Sequence, residues 1–225
     1  MSFSPAPASA GAVVGGGPQD HGNEFQPGAR LIIGSHNVIR ENVTMHAGTP
    51  KGQTPIAGEE PEKLTTRVGS NGMFMVNSHI AHDCVVGDNV IMTNNAVIGG
   101  HVRLGDGVIL GGNSAVHQFC RIGRKAMIGG MTGIGRDVIP FAMVTGDRGK
   151  LRGLNVIGLK RSGCDEHTIK SVTRAYMYIF KSNDGTFEER VQKAKEKFAG
   201  NPMVEEQIAF IEEAMHSRRQ VLVAE

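Results

Sequence analysis

From Val68 onward a large apolar residue returns at every sixth position: Val68, Phe74, Ile80, Val86, Met92, Ile98, Leu104, Leu110, Val116, Ile122, Ile128 and Ile134. Many are followed by glycine, as at Gly69, Gly87, Gly99, Gly105, Gly111 and Gly123. Four residues after each comes a small or β-branched residue, among them Ser78, Cys84, Ala96, Ser114, Cys120 and Thr132. Ile33, Ile39 and Met45 carry the same period earlier. A period of six fits neither a 3.6-residue helix nor a simple alternating strand. It fits a short strand and a turn, repeated and stacked as the rungs of a parallel β-helix. The large residue points inward, the small one lies near a corner, and glycine tolerates the backbone of the turn. Three hexads closing one coil advance the chain by one rung of about 4.8 Å.

The pattern breaks between His46 and Val68, where AGTPKGQTPIAGEEPEKLTT is rich in proline, glycine and charge. A protruding loop is expected at about 47–67, and loops of this length usually carry function or motion. The hexads end at Pro140, and helical spacing follows through Ile169, Val172, Ala175, Tyr176, Ile179 and Phe180. Thr186 opens a second helix as its cap, and Asn201-Pro202 opens a third. The expected organisation is an irregular segment over 1–13, a β-helix over 14–160 and a helical region over 161–225 that covers the last rung. Most basic residues of those helices read as a solvated face.

Composition narrows the function. Net charge is only +2 in 225 residues, too little to argue for nucleic acid or an anionic membrane. No apolar run approaches the roughly 18–20 residues of a membrane span, and MSFSPAPASAGAVVGGG lacks the features of a signal peptide. A soluble, cytoplasmic chain is expected. Three cysteines form no CxxC pair. Cys84 and Cys120 fall on one corner two rungs apart, about 9–10 Å, so they read as small buried hydrophobes rather than a disulfide.

The chemistry concentrates in NSHIAHDC (77–84) and in the histidines around it. On this scaffold His82 and His101 fall on neighbouring rungs of one side, with His79 and His117 close by, as a line of imidazoles on an outer face. Three readings compete: unrelated surface residues, a metal site between subunits, or a general base with Asp83 fixing its tautomer. No two histidines are five apart, the spacing that β-helical carbonic anhydrases use.

NSHIAHDC, GGHV (99–102), AVHQFC (115–120), VTMHAGT (43–49) and NVIGLKR (155–161) resemble the UDP-N-acetylglucosamine 3-O-acyltransferases of lipid A biosynthesis. The resemblance runs from about Gly15 to the C-terminus. It implies a left-handed β-helix, a homotrimer with sites between subunits, and transfer of a 3-hydroxyacyl chain from acyl carrier protein to the glucosamine 3-hydroxyl, without cofactor or metal. It implies His82 as general base, Asp83 as its support and the N–H of Gly100 as oxyanion donor. Asp20, His46, His79, His101, His117, Gln118, Asn155 and Arg161 would bind substrate, and Gly130 would set acyl length, its missing side chain admitting a longer chain.

The resemblance also implies further coils before Val14, where this chain has a Pro/Ala/Ser-rich segment that is not expected to form rungs. A lysine expected shortly after Asp20 is absent from HGN (21–23). A glutamate expected near the ribose is Ile157, and the second arginine of a GLKRR motif is Ser162. Arg124, Arg148, Lys150 and Arg152 are the cations placed to compensate. These departures keep two alternatives in view: a modified acceptor such as the 3-amino sugar nucleotide, or a non-catalytic or metal-binding β-helix.

Overall fold

The computed structural model describes residues 8–22, 26–53, 62–217 and 220–221. Short strands stack into three sheets that form the walls of a left-handed β-helix. One wall runs through Val13–Gly16, Thr44–His46, His79–Ile80, Val97–Ile98, Ala115–Val116 and Gly133–Ile134. A second runs from Arg30–Ile33 to Arg121–Ile122, and a third from Val38–Ile39 to Lys150–Leu154. The register is the hexad spacing made visible: Ile80 pairs with Ile98, Ile98 with Val116 and Val116 with Ile134, all parallel. The earlier fragment joins the same columns, Ile33 beside Val68, Ile39 beside Phe74 and Met45 beside Ile80.

Packing explains the pattern. Phe74, Ile80, Met92, Ile98, Leu110 and Ile128 are fully buried, and so are Cys84, Val90, Ala96, Val102, Val108 and Ser114 of the small-residue column. The glycines play another part than expected. Those after each aliphatic have ordinary backbones and are required by the closeness of the next rung: a Cβ on Gly69 would stand 2.6 Å from the Gly87 carbonyl oxygen, and one on Gly105 2.6 Å from the Arg124 nitrogen. The left-handed conformation falls two residues later, at 71, 77, 83, 89, 95, 101, 107, 113, 119, 125 and 131, with φ between +54° and +67°. Asparagine and glycine tolerate that region best, and they dominate two of the three corners. Asn77, Asn95 and Asn113 also bond side chain to side chain along one corner, each at 3.1 Å.

Several boundaries differ from expectation. The segment before Val14 does not stay clear of the coil: Ala8 bridges to Ile39, and Val13 already belongs to the first wall. The interruption after His46 ends sooner than residue 67, because Thr65–Val68 is a strand paired with Arg30–Ile33; residues 54–61 lie outside the described set. Beyond Pro140 the coil continues, with Ala142–Thr145 in register on Met127–Ile128 and turning back antiparallel as Lys150–Leu154. The described residues hold four helices, not three: α1 (Val156–Arg161), α2 (Glu166–Lys181), α3 (Phe187–Lys197) and α4 (Pro202–His216). The extra one is the NVIGLKR motif itself, started by Asn155 as N-cap.

The expected caps are present. Thr186 and Glu189 form a reciprocal capping box on α3, and Asn201 caps α4 ahead of Pro202. Helix α4 is fastened to the solenoid by a buried network. Arg121 pairs with Asp137 at 2.8 Å and with Glu213 at 2.6 Å, its guanidinium 4.4 Å from the centre of the Phe210 ring. Gln207 donates to the Pro140 carbonyl at 3.0 Å. Lys193 and Lys195 pair with Asp184 and Glu212, which accounts for part of the basic face. Among the described residues no helix is long and apolar enough to cross a membrane.

If backbone conformation rules the corners, Asn95→Ala should lower stability by about 1–2 kcal/mol, and Asn95→Gly by clearly less. Thermal melts of both variants check this; equal losses would assign the effect to the asparagine ladder instead.

Candidate active site

Two corners of the coil are built mainly from asparagine and glycine, but the third carries Asp83, His101 and Phe119 on successive rungs, all left-handed. His82 lies beside Asp83 in the same turn. The one-rung spacing brings the rings together: His82 meets His101 edge-on with centroids 5.1 Å apart, and His101 stacks on Phe119 at 4.5 Å. His46 and His79 form a second edge-on pair at 4.9 Å. Of the expected outer line of imidazoles, His82 and His101 are only 7% and 6% exposed and His79 is partly covered; His46 beside it is also buried. His117 alone of that line is exposed, with its Nδ1 donating to the Gln118 carbonyl oxygen at 3.1 Å.

Asp83 is fully buried and its carboxylate is saturated. Oδ1 accepts from the Thr49 N–H at 2.8 Å, and Oδ2 accepts from the Thr49 hydroxyl at 2.6 Å and His82 Nδ1 at 2.8 Å. Burial alone would raise its pKa; the bonds from His82 and Thr49, with the nearby His101, outweigh burial and hold the carboxyl below its ordinary range. An ionised carboxylate only accepts, so Nδ1 of His82 carries the proton and Nε2 keeps the lone pair. Gly100 lies against that ring: a Cβ there would be 2.6 Å from His82 Cε1. No partner for the Gly100 N–H is found among the described residues.

The neighbouring histidines are kept neutral. Burial, then the neighbouring His46 and His82, push the His79 pKa down to about 4. Burial followed by His82 lowers His46. Burial lowers His101, with Asp83 opposing and His82 and Lys51 assisting. His79 Nδ1 bonds the Thr44 hydroxyl at 2.7 Å, while the buried Nδ1 of His46 has no partner among the described residues.

His82 and His101 line a cavity of about 370 Å³ with Gln19, Asp20, Lys51, Gln118 and Phe119. Of the expected residues, His82, His101, Asp20 and Gln118 thus converge, with Asp83 and Gly100 directly behind His82. His117 opens onto a separate cleft of about 660 Å³ with Arg136, Asp147, Arg148 and Lys150. That cleft is larger, but His117 is exposed there and its Nδ1 is held by a carbonyl rather than by a buried carboxylate. Asn155 is committed locally, capping α1 through Gly158 and donating to the Lys125 carbonyl at 3.0 Å. Arg161 is exposed at the end of α1. Gly130 is exposed, with the Gly112 carbonyl oxygen 3.2 Å from where a Cβ would be.

Of the compensating cations, Arg124 is engaged by Glu206 at 2.6 Å. Lys51 pairs with Asp20 at 3.0 Å, and Lys125 donates to the Ser162 hydroxyl at 2.9 Å. The sequence reading missed Thr49, Lys51 and Phe119. Phe119 was legible as an aromatic where the corner favours asparagine. Thr49 had no such signal. One nitrogen each of His82 and His101 and one Asp83 oxygen fall within 4.8 Å of one another, a spacing compatible with metal ligation. With three hydrogen bonds already on the Asp83 carboxylate, and His82 donating one of them, the trio matches an oriented imidazole more closely than a ligand set.

Comparison with known proteins places these observations. A family model described as "Udp N-acetylglucosamine O-acyltransferase; Domain 2" matches residues 137–222. An acyl-[acyl-carrier-protein]–UDP-N-acetylglucosamine O-acyltransferase of Caulobacter vibrioides is 50% identical over 200 residues, covering 89% of this chain and 72% of its own length. A like-named protein of Anaeromyxobacter sp. (strain K) is 44% identical, covering 88% and 72%. The solved structure of LpxA from Acinetobacter baumannii superposes with a TM-score of 0.81 at 35% identity, covering 96% of this chain and 77% of that one. The Arabidopsis UDP-N-acetylglucosamine acyltransferase superposes at 0.84 and 35%, covering 96% and 73%.

Between pH 6.5 and about 4 an unfolded His79 is protonated and the folded one is not. The unfolded state then binds more protons, so this contribution is complete above pH 6.5 and is lost as pH falls through the window. His79→Gln is expected to flatten part of the melting-temperature-versus-pH curve there. A slope unchanged from the parent would show that His79 titrates as an ordinary solvated imidazole.

Proposed function

The chain belongs to the UDP-N-acetylglucosamine O-acyltransferase family, and on that footing we propose that it moves a 3-hydroxyacyl chain from acyl carrier protein to the 3-hydroxyl of UDP-N-acetylglucosamine, the first step of lipid A synthesis, with His82 as the base. The observation that carries this reading is the buried Asp83 carboxylate, which accepts a hydrogen bond from the protonated Nδ1 of His82 and leaves Nε2 as the proton acceptor at a cavity wall.

The chemistry needs such a group because a sugar hydroxyl is a poor nucleophile at neutral pH, whereas a thioester is already activated. Nε2 removes the hydroxyl proton as the oxygen attacks the thioester carbonyl. The resulting oxyanion is received by the Gly100 N–H, a kind of donor worth roughly 3–4 kcal/mol. Collapse breaks the carbon–sulfur bond, and the thiolate takes the proton back from the His82 imidazolium, which Asp83 stabilises meanwhile. Asp20, His101 and Gln118 line the cavity as sugar contacts, and the neutral His79 and His46 serve as uncharged hydrogen-bonding partners behind it. Gly130 leaves the acyl path unobstructed by a side chain.

His117, Asn155 and Arg161 line no part of the His82 cavity within one chain. A homotrimer with sites between subunits, as the family resemblance implies, gives them access to substrate from a neighbouring copy. Lys51 and Lys125 support the sugar-nucleotide reading, since they return positive charge close to Asp20 and Ser162.

Transfer from 3-hydroxyacyl-carrier protein to UDP-N-acetylglucosamine is the test. His82→Ala is expected to lower kcat by roughly 10²–10⁴-fold, the usual worth of a general base. A folded parent protein that transfers nothing to this acceptor but acylates the 3-amino sugar nucleotide would replace the proposed acceptor; a His82→Ala variant as active as the parent would remove His82 from the mechanism.

A further inference from the structure

Where the hexads fail after His46, the chain does not leave the solenoid at once. Ala47 and Thr49 are 1% and 0% exposed, and Gln53 is 7% exposed. The Thr49 carbonyl accepts from the N–H groups of Gly52 and Leu64, which ties the two ends of the interruption together. The Thr49 hydroxyl accepts from the Lys51 N–H at 3.2 Å and donates to Asp83 Oδ2 at 2.6 Å, while its N–H donates to Oδ1 at 2.8 Å. A carboxylate held by one donor is free to rotate its plane. Two donors from one residue, one on each oxygen, fix that plane and with it the direction of the Oδ2 lone pairs toward His82 Nδ1.

We propose that Thr49 is a positioning residue of the acyl transfer: seated by the turn that spans 48–53, it locks the Asp83 carboxylate so that Asp83 in turn holds the His82 imidazole in one tautomer and one orientation. The interruption of the repeat is thereby part of the catalytic machinery from its first turn. The same turn reaches two other site residues, with Lys51 Nζ 3.0 Å from Asp20 and the Gly52 backbone hydrogen-bonded to His101. This inference rests on the reading of His82 as the base.

The experiment is steady-state acyl transfer by the full chain as parent, Thr49→Val, Thr49→Ser, Asp83→Ala and the Thr49→Val/Asp83→Ala double variant. Thr49→Val, which keeps the shape and the N–H but loses the hydroxyl, should lower kcat about tenfold or more with KM for UDP-N-acetylglucosamine within about twofold. Thr49→Ser should recover kcat to within about threefold, and in the Asp83→Ala background Thr49→Val should cost less than about twofold, because the group it positions is gone. Should Thr49→Val not fold, Thr49→Cys, whose thiol is a poor donor, carries the same expectations. A normal kcat in the hydroxyl-free variant overturns the proposal, as does a rise in KM alone or an equal loss in both Asp83 backgrounds. An inactive parent overturns the proposed acceptor, and a His82→Ala variant as active as the parent overturns the base reading, so those failures are distinguishable from the failure of the Thr49 proposal.

Discussion

A coil that closes on itself must turn three times, and in this chain each turn is made by one left-handed residue at every sixth position from 71 to 131. For most side chains that conformation costs roughly 1–2 kcal/mol, so two of the corners are filled mainly by asparagine and glycine. The third carries Asp83, His101 and Phe119 instead. Strain at a set of positions that easier residues could occupy is where function is expected to be stored. Here it coincides with the buried carboxylate, the paired imidazoles and the cavity of about 370 Å³.

The geometry of the site follows from the same constraint. Rungs rise by about 4.8 Å, and the ring centroids of the corner stack are 5.1 and 4.5 Å apart. The solenoid therefore sets the spacing of the side chains at this corner. What the spacing leaves open is rotation, and hydrogen bonds close it. Asp83, ionised in spite of burial, fixes His82; Thr49 fixes Asp83. Burial keeps His79, His46 and His101 neutral, so a cluster of four imidazoles avoids the mutual repulsion that would come with protonation.

The helical region binds the end of the solenoid through a different device. Arg121 is buried between Asp137 on the last coil and Glu213 on α4. A buried ion pair of this kind is seldom a net source of stability over an apolar isostere, but removing one partner leaves an uncompensated charge. Its effect is to specify where α4 docks, and α4 in turn holds Arg124 through Glu206, which removes that arginine from the cations available to a substrate.

The hexad repeat determined the walls, the inward and small-residue columns, the parallel register and the neighbourhood of His82 with His101, because a local period repeated along the chain leaves only one way to stack. The caps at Thr186 and Asn201 were legible for a similar reason, being contacts within a few residues. The corner preference was also present in the sequence, in Asn71, Asn77, Asn89, Asn95 and Asn113, though the glycines after each aliphatic drew the reading to the wrong position. Only the tertiary structure decided that the imidazoles lie covered rather than on an outer face, that Asn155 is committed to a helix cap, that His117 opens onto a different cleft, and that Thr49 reaches Asp83. The last of these depends on how an irregular segment folds back across a separation of 34 residues, and no period in the chain constrains that path.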